Sequence, residues 1–406
     1  MRMATSVEVV TTLLTLGGLV YMLLALWGAR DFGHYCAKVA HVEAAGPKYA
    51  LPVTILKPVR GIDTRMYAGF ASHCRQGYAG EYEILFGVSS MDDPAVAEVE
   101  RLRREFPDHA IRLVECPERL GNSGKVSNLV QMLPSAHFEH VLINDSDIRV
   151  SPNYLARVMN CFADPRVGMV TAPYLGRTDT DGKALTVWAR LEALGISTDF
   201  MPGVLTARKI EGGIRFGLGS TLAVSKTALA AAGGLEPLVD HLADDYEIGA
   251  RIAHAGFRVE LCREVVETTV PAYSFQGFID HQLRWARSTR DSRRWGYVGL
   301  GITYCIPWAL LNCVASGFAL WSFTLLSLVL LARVAVALSV GVGILRDGQV
   351  LRDLWLLPLR DFFALGFWAW SFASDTVVWR GERFRLHAGR IAPASPPCPA
   401  PPTAAL

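Results

Sequence analysis

The stretch NDSDIRV (144–150) sets two aspartates, Asp145 and Asp147, two positions apart directly after the apolar run HVLI. Carboxylates at that spacing in a turn can both approach one hard cation. Mg²⁺ or Mn²⁺ is commonly held by one or two carboxylates, with phosphate oxygens completing the shell. The plainer reading of Asp-x-Asp is a solvated turn that caps a helix, and the spacing of a calcium-binding EF-hand is absent. A second acidic site, ADDYEIG (243–249), puts Asp244 and Asp245 ahead of an amphipathic helical pattern. One aspartate there would serve as an N-cap. The other reading is a general base that takes a proton from an attacking hydroxyl, and the residues alone leave both open. GNSGKVSNL (121–129) adds Lys125 with a glycine beside it, and MDDP (91–94) adds Asp92 and Asp93.

These groups need elements that bring them together. Residues 50–270 alternate short apolar runs, LPVTILKPV, YEILFGVSS, IRLVEC, HVLIND and GMVTAPYL, with helical stretches such as 95–106 and 153–163. That alternation predicts an α/β domain with a mainly parallel, Rossmann-like sheet. Ligands of such sheets bind beyond the carboxyl ends of the strands. Asp92 and Asp93 follow the second run, Lys125 lies after the third, and Asp145 and Asp147 follow the fourth. Position at strand ends raises the weight of the cation reading.

Composition points to a membrane. The chain has 406 residues, is 51% hydrophobic and carries a net charge of only +2. Near-neutral charge argues against a general attraction to nucleic acid. Residues 9–29 contain no charge and are long enough to cross about 30 Å of hydrocarbon as a helix. Their length and the following Arg30 favour an anchor in 1–30 over a cleaved signal peptide. A C-terminal transmembrane region is expected over 299–378. Its first block, 299–345, carries only Arg333 and has room for two spans. Its last block, 354–378, contains Pro358, Arg360, Asp361 and Asp375 and need not cross fully. Eight cysteines are scattered without a CxxC pair, so neither a zinc site nor a disulfide framework is indicated. The Pro- and Ala-rich end, 391–406, reads as a disordered tail.

Between domain and membrane lies IDHQLRWARSTRDSRRW (279–295), within an interfacial segment over 271–298. Taken in order, VTILKPVRG, MDDPA, GKVSNL, NDSDIRV, FGLGSTLAVSKTAL, AGGL, ADDYEIG and HQLRW resemble the membrane-bound inverting GT-A glycosyltransferases. The nearest branch is the ceramide glucosyltransferase-like group, which includes bacterial hopanoid-biosynthesis glycosyltransferases. The resemblance covers about 50–300, with matching apolar blocks on either side. It implies that Asp92, with Asp93 as second choice, contacts the nucleotide base, with Lys57 and Pro58 beside it and Lys125 and Asp145 at the nucleotide-sugar. Asp145 and Asp147 match the metal motif, with Asp147 the direct ligand, and Asp245 matches the catalytic base. Arg284 and Trp285 match the Arg-Trp of a Gln/Arg-x-x-Arg-Trp motif. His281 stands at that motif's first position, with Gln282 one place out of register.

The implied reaction moves glucose or N-acetylglucosamine from a UDP-sugar to a hydroxyl of a membrane lipid, ceramide or hopanoid, with inversion and a divalent metal. A processive polysaccharide synthase is the first alternative, although such chains carry more spans. A membrane protein that binds nucleotide-sugar without turnover is the second, and nucleic acid is not an expected partner. Because UDP-sugars are cytosolic, the catalytic domain is expected on the cytosolic face, of a bacterial inner membrane under this resemblance. Arg30 and the 284–294 arginines agree. Within that stretch Arg284 and Trp285 are expected at the donor site. Arg287, Arg290, Arg293 and Arg294 are expected in the headgroup layer, with Trp295 at the interface.

Overall fold

The first apolar run becomes β1 (Val53–Pro58), five of whose six residues are buried. Strands buried on both faces read as continuous apolar runs because helices cover the sheet on each side. The computed structural model describes residues 5–45, 49–178, 184–379 and 381–394. The next strands are β2 (Tyr82–Val88), β3 (Ala110–Glu115), β4 (His140–Ile143), β5 (Val167–Thr171) and β6 (Tyr174–Arg177). Three more follow in the domain, β7 (Leu222–Ser225), β8 (Arg258–Leu261) and β9 (Val266–Thr269). Among the described residues, the main sheet has seven strands in the order β3-β2-β1-β4-β7-β5-β8, and β6 pairs with β9 in a small separate sheet.

The sheet is mainly parallel, as predicted, with β7 antiparallel to both β4 and β5. GMVTAPYL, expected as one strand, is two. β5 ends at Thr171 and β6 begins at Tyr174, across Ala172 and Pro173. Proline has no N–H to continue a ladder, so the chain leaves the main sheet there.

The N-terminal helix Ser6–Ala45 has 40 residues, a length of about 60 Å at 1.5 Å per residue. It therefore runs well beyond the 9–29 apolar block and does not stop at Arg30. Its later turns pack on the α/β domain. Phe32 is buried in the main core, and Asp31 accepts from Arg208 Nη1 at 2.9 Å and Lys209 Nζ at 2.6 Å.

Two helices, Ser6–Glu43 and Leu320–Ile344, are long and apolar enough to cross a membrane. The pair Arg294–Thr303 and Cys305–Ala315, bent by 54°, makes a third if it is one span. Helix Leu357–Ser371 has 15 residues and is not among these candidates. After it, β10 (Thr376–Trp379), β11 (Glu382–His387) and β12 (Arg390–Pro393) form an antiparallel sheet. The expected tail thus begins inside β12, and 395–406 lie outside the described residues. This small sheet docks on the α/β domain. Ile391 N donates to Asp240 O at 2.7 Å, Leu242 N to Gly389 O at 3.1 Å, and Asn122 Nδ2 to Ile391 O at 3.0 Å. Domain and C-terminal sheet therefore lie on one side of any membrane, and the chain between them crosses an even number of times.

Candidate active site

The carboxyl ends of β1, β2 and β4 open on one side of the sheet, where parallel-sheet ligands bind. Lys57 and Pro58 close β1, and Lys57 is fully buried, with Nζ donating to Asp145 O at 3.2 Å. Burial lowers Lys57 to about 7, although Asp147 and Asp145 pull it upward. Beyond β2, Asp93 accepts from Gly61 N with both oxygens, at 2.9 and 3.0 Å, and from Ala95 N at 2.9 Å. It ties the first two strand-end loops together, while Asp92 is exposed on the cavity wall.

The Asp145–Asp147 turn is held from beneath by Asn144, a residue that the sequence reading passed over. Asn144 is fully buried, donates to Ser220 O at 2.6 Å and Tyr154 Oη at 3.0 Å, and meets His73 Nε2 at 3.1 Å. An asparagine directly after an apolar strand and before Asp-x-Asp was the available signal. Asp147 Oδ2 accepts from Thr268 Oγ1 at 2.5 Å. Its carboxyl is pushed up to about 6, first by burial and then by Asp145.

Lys125 joins the two acidic sites. Its Nζ lies 2.9 Å from Asp145 Oδ1 and 3.1 Å from Asp244 Oδ2. Burial alone would lower Lys125, but Asp145 and Asp244 outweigh it and keep it charged. Ser123 starts this lysine's helix, Gly124–Met132, by accepting from Val126 N. The capping explanation of Asp244 and Asp245 does not hold. Ala243 is the N-cap of helix Asp244–His254 and makes no side-chain cap bond, so both acids are inside the first turn. Asp245 is raised to about 6, by burial first and by Asp244 next, with Lys125 opposing.

The FGLGST loop packs directly on this turn. Gly217 N donates to Asp245 O at 3.2 Å. A Cβ on Gly219 would lie 3.1 Å from Asp245 Oδ2 and 3.5 Å from Asp145 Oδ2. The base candidate and the cation candidate therefore flank one glycine, and the bare backbone leaves the space between them open.

Arg284 and Trp285 lie on helix Phe275–Ser292, which Ser274 caps by accepting from Gly277 N. Both line the same cavity, of about 1700 Å³, as Asp92, Asp145, Asp147 and Asp245. His281 Nδ1 is 2.9 Å from Glu192 Oε1, and Gln282 Nε2 donates to Glu192 Oε2 at 2.6 Å. The two residues that compete in sequence for the first motif position thus share one buried carboxylate. Burial opposes ionisation of Glu192, but His281 and Arg360 hold it below the usual range. Glu192 was missed because a lone glutamate inside VWARLEALG has no local marker.

Three of the four arginines expected in the headgroup layer are used within the protein. Arg287 is buried and donates to Thr376 O, Arg290 to Ser371 O and Asp375, and Arg293 to Glu211. A charge run in sequence cannot show that the C-terminal sheet returns to cover it. Arg294 is exposed, as is Trp295 at 83%.

The residues fit a divalent ion of the Mg²⁺ or Mn²⁺ kind. Among the described residues there is no group of three or more His, Cys, Asp or Glu able to hold a metal. Two aspartates on one turn leave positions for phosphate oxygens, which suits a hard ion and not a structural zinc.

A family model described as glycosyl transferase family 21 matches residues 10–392. The chain is 26% identical over 300 residues to ceramide glucosyltransferase 3 of Caenorhabditis elegans, covering 70% of this chain and 61% of that protein. It therefore spans under two thirds of that relative's length. Ceramide glucosyltransferase 1 of the same organism is 23% identical, covering 85% of this chain and 74% of that one. A mannosyltransferase from Pyrobaculum calidifontis, solved in complex with GDP-Man and Mn²⁺, superposes with a TM-score of 0.53 at 20% identity. That superposition covers 90% of this chain and 98% of the other, and it shows a shared GT-A fold.

Proposed function

The chain belongs to glycosyl transferase family 21, and from that premise we propose that it transfers one sugar from a UDP-sugar to a hydroxyl of a membrane lipid, with inversion. The observation that carries this reading is the single cavity shared by the strand-end aspartates, Asp245 and the Arg284–Trp285 helix, whose wall continues onto the membrane helices. A water-soluble donor and a membrane-bound acceptor can meet only at such a boundary.

In this reading Asp92 meets the base of the nucleotide with Pro58 beside it, and Lys125 faces its diphosphate, while Lys57, buried and absent from the cavity wall, supports the Asp145 turn from behind. Asp145 and Asp147 would hold the divalent ion, which would neutralise the diphosphate and the charge that UDP gains on leaving. Asp245 takes the proton of the lipid hydroxyl. That oxygen bonds to the anomeric carbon from the face opposite UDP, and the bond to the phosphate oxygen breaks with its electrons going to UDP. One displacement inverts the centre. Arg284 supplies a fixed cation to the leaving diphosphate. Ceramide and a hopanoid polyol are the acceptors, and glucose and N-acetylglucosamine the donor sugars, that the reading admits.

The test is direct. The full chain in detergent micelles is supplied with UDP-glucose or UDP-N-acetylglucosamine and either lipid, and products are read by lipid mass spectrometry. A hexosyl- or aminosugar-lipid of inverted configuration is expected. Donor consumption that no lipid stimulates would overturn the reading.

A further inference from the structure

The cavity wall on the membrane side carries charges that the chemistry above does not use. Arg333 lies within the candidate span Leu320–Ile344 and is only 1% exposed. Charges at such depth are expensive, and they usually mark a function. Arg333 donates from Nε to both oxygens of Asp361, at 3.1 and 3.2 Å, from Nη1 to Thr198 O at 2.9 Å, and from Nη2 to Asp199. Arg360 donates from Nε to Asp199 Oδ2 at 2.7 Å and from Nη1 to Gln282 Oε1 at 2.8 Å. Arg333, Arg360, Asp199 and Asp361 all line the cavity.

The backbone is built around this cluster. Thr198 and Asp199 occupy a π-helical turn, Ile196–Phe200, between two α-helices. In a regular helix Thr198 O would accept from residue 202, but residue 202 is Pro202, which has no N–H. That carbonyl accepts from Arg333 Nη1. On the other side, a Cβ on Gly195 would come within 2.4 Å of Arg360 Nε and 2.6 Å of Nη2, so a side chain there would push the guanidinium out of its present position. Inserted π turns of this kind are frequent at functional sites.

If the cluster only held helices together, well-packed apolar side chains would stabilise as well or better. Arg333 is committed on all three nitrogens and acts as the anchor. Arg360 uses Nε and Nη1, and a guanidinium has five N–H donors. The carboxylate of Asp199 has acceptor capacity beyond its two guanidinium partners. Two arginines and two aspartates balance, so the wall offers donors and acceptors without net charge.

Resting on the lipid-transfer reading above, we propose that Arg360 and Asp199, fixed by Arg333 and Asp361, bind the headgroup of the acceptor, an uncharged group with hydroxyl or amide hydrogen-bonding atoms. Gln282, which lies on the Arg284–Trp285 helix, links this site to the donor side, because it bridges Arg360 and Glu192.

The experiment uses the full chain in nanodiscs. A photoactivatable ceramide and, in a second arm, a photoactivatable polyprenyl phosphate are cross-linked to the unmutated protein. Asp199→Asn and Arg360→Gln are then assayed for ceramide glucosylation. Expected are ceramide cross-links within 195–204 and 357–364, little labelling of those segments by the phosphate lipid, and a rise of at least tenfold in acceptor KM with donor KM changed less than twofold. Ceramide cross-links confined elsewhere, preferential labelling by the phosphate lipid, or an unchanged acceptor KM in folded variants would overturn the site. Because cross-linking needs neither mutation nor turnover, it decides the site even if a variant fails to fold. Absence of glucosylation by the unmutated protein with cross-links in place would count against the transfer reading and not against the site.

Discussion

Lys125 Nζ stands 2.9 Å from Asp145 Oδ1 while also reaching Asp244, 3.1 Å away. One ammonium thus spans the cation turn and the turn that carries Asp245. A metal ion approaching Asp145 has to share that carboxylate with the lysine. Lys125 also holds Asp245 lower than burial and Asp244 alone would leave it. Lys125→Met should therefore raise Asp245 further, so that a higher pH is needed to ionise it. The acid limb of kcat/KM should move upward by about one pH unit, since one unit corresponds to about 1.4 kcal/mol of lost interaction. A limb that stays in place would show that Asp245 is not the group being titrated.

Asp245→Asn should reduce transfer by at least about 10³-fold, within the range for losing a general base, while nucleotide diphosphate binding is retained. Because Asp245 is raised to about 6, activity of the parent chain should fall as pH drops through that value. The stability sign is the reverse. A carboxyl with a raised folded pKa favours the fold when protonated, and that contribution is lost as pH rises through about 6. Asp245→Asn should accordingly match or exceed the parent in thermal stability at pH 7.5. Lost nucleotide affinity with retained turnover would reject the base assignment.

Chelation by EDTA should abolish transfer, with recovery on adding Mn²⁺ or Mg²⁺. Asp147→Ala should raise the metal concentration needed for half-maximal activity by at least about tenfold, as expected on losing one of two carboxylate ligands. Activity that persists in EDTA would remove the metal from the mechanism.

Gly219→Ala places a methyl 3.1 Å from Asp245 Oδ2 and 3.5 Å from Asp145 Oδ2. Small displacements in an active site can cost about 10²-fold, so kcat should fall by roughly that factor while the unfolding temperature stays near that of the parent. A parent-like kcat would show that nothing passes between the two carboxylates.

The arginines should separate by role. Arg284→Ala should lower kcat with little change in stability. Arg287→Ala should destabilise by about 1–3 kcal/mol, because it removes a buried charged donor and strands Thr376 O. Arg294→Ala, at an exposed position, should change neither in detergent and should weaken binding to anionic bilayers. Equal losses of activity from all three would show that they act as one patch.

Much of this was legible before folding. Asp92, Asp93, Asp145 and Asp147 follow apolar strands, and strand direction alone puts their loops at one end of a parallel sheet. The 40-residue N-terminal helix was legible in its apolar half. Its continuation into the soluble core was not, because Phe32 and Asp31 show their purpose only beside Arg208 and Lys209. The arginine run was misleading for the same reason. Its partners Thr376, Ser371 and Glu211 are each about 80 or more residues away in sequence.

By itself the sequence determined the fold class, the membrane association and the acidic groups on their strand ends, since hydrophobic period and local order set these. Only the tertiary structure decided which groups touch. It placed Glu192 between His281 and Gln282, Lys125 between two acidic turns, and Arg333 on the carbonyl to which Pro202 cannot donate. The physical reason is one of range. Backbone hydrogen bonding and apolar periodicity act over a few residues and leave a pattern. Pairing of buried charges acts through space between segments distant in the chain, and each partner alone looks like any other charged residue.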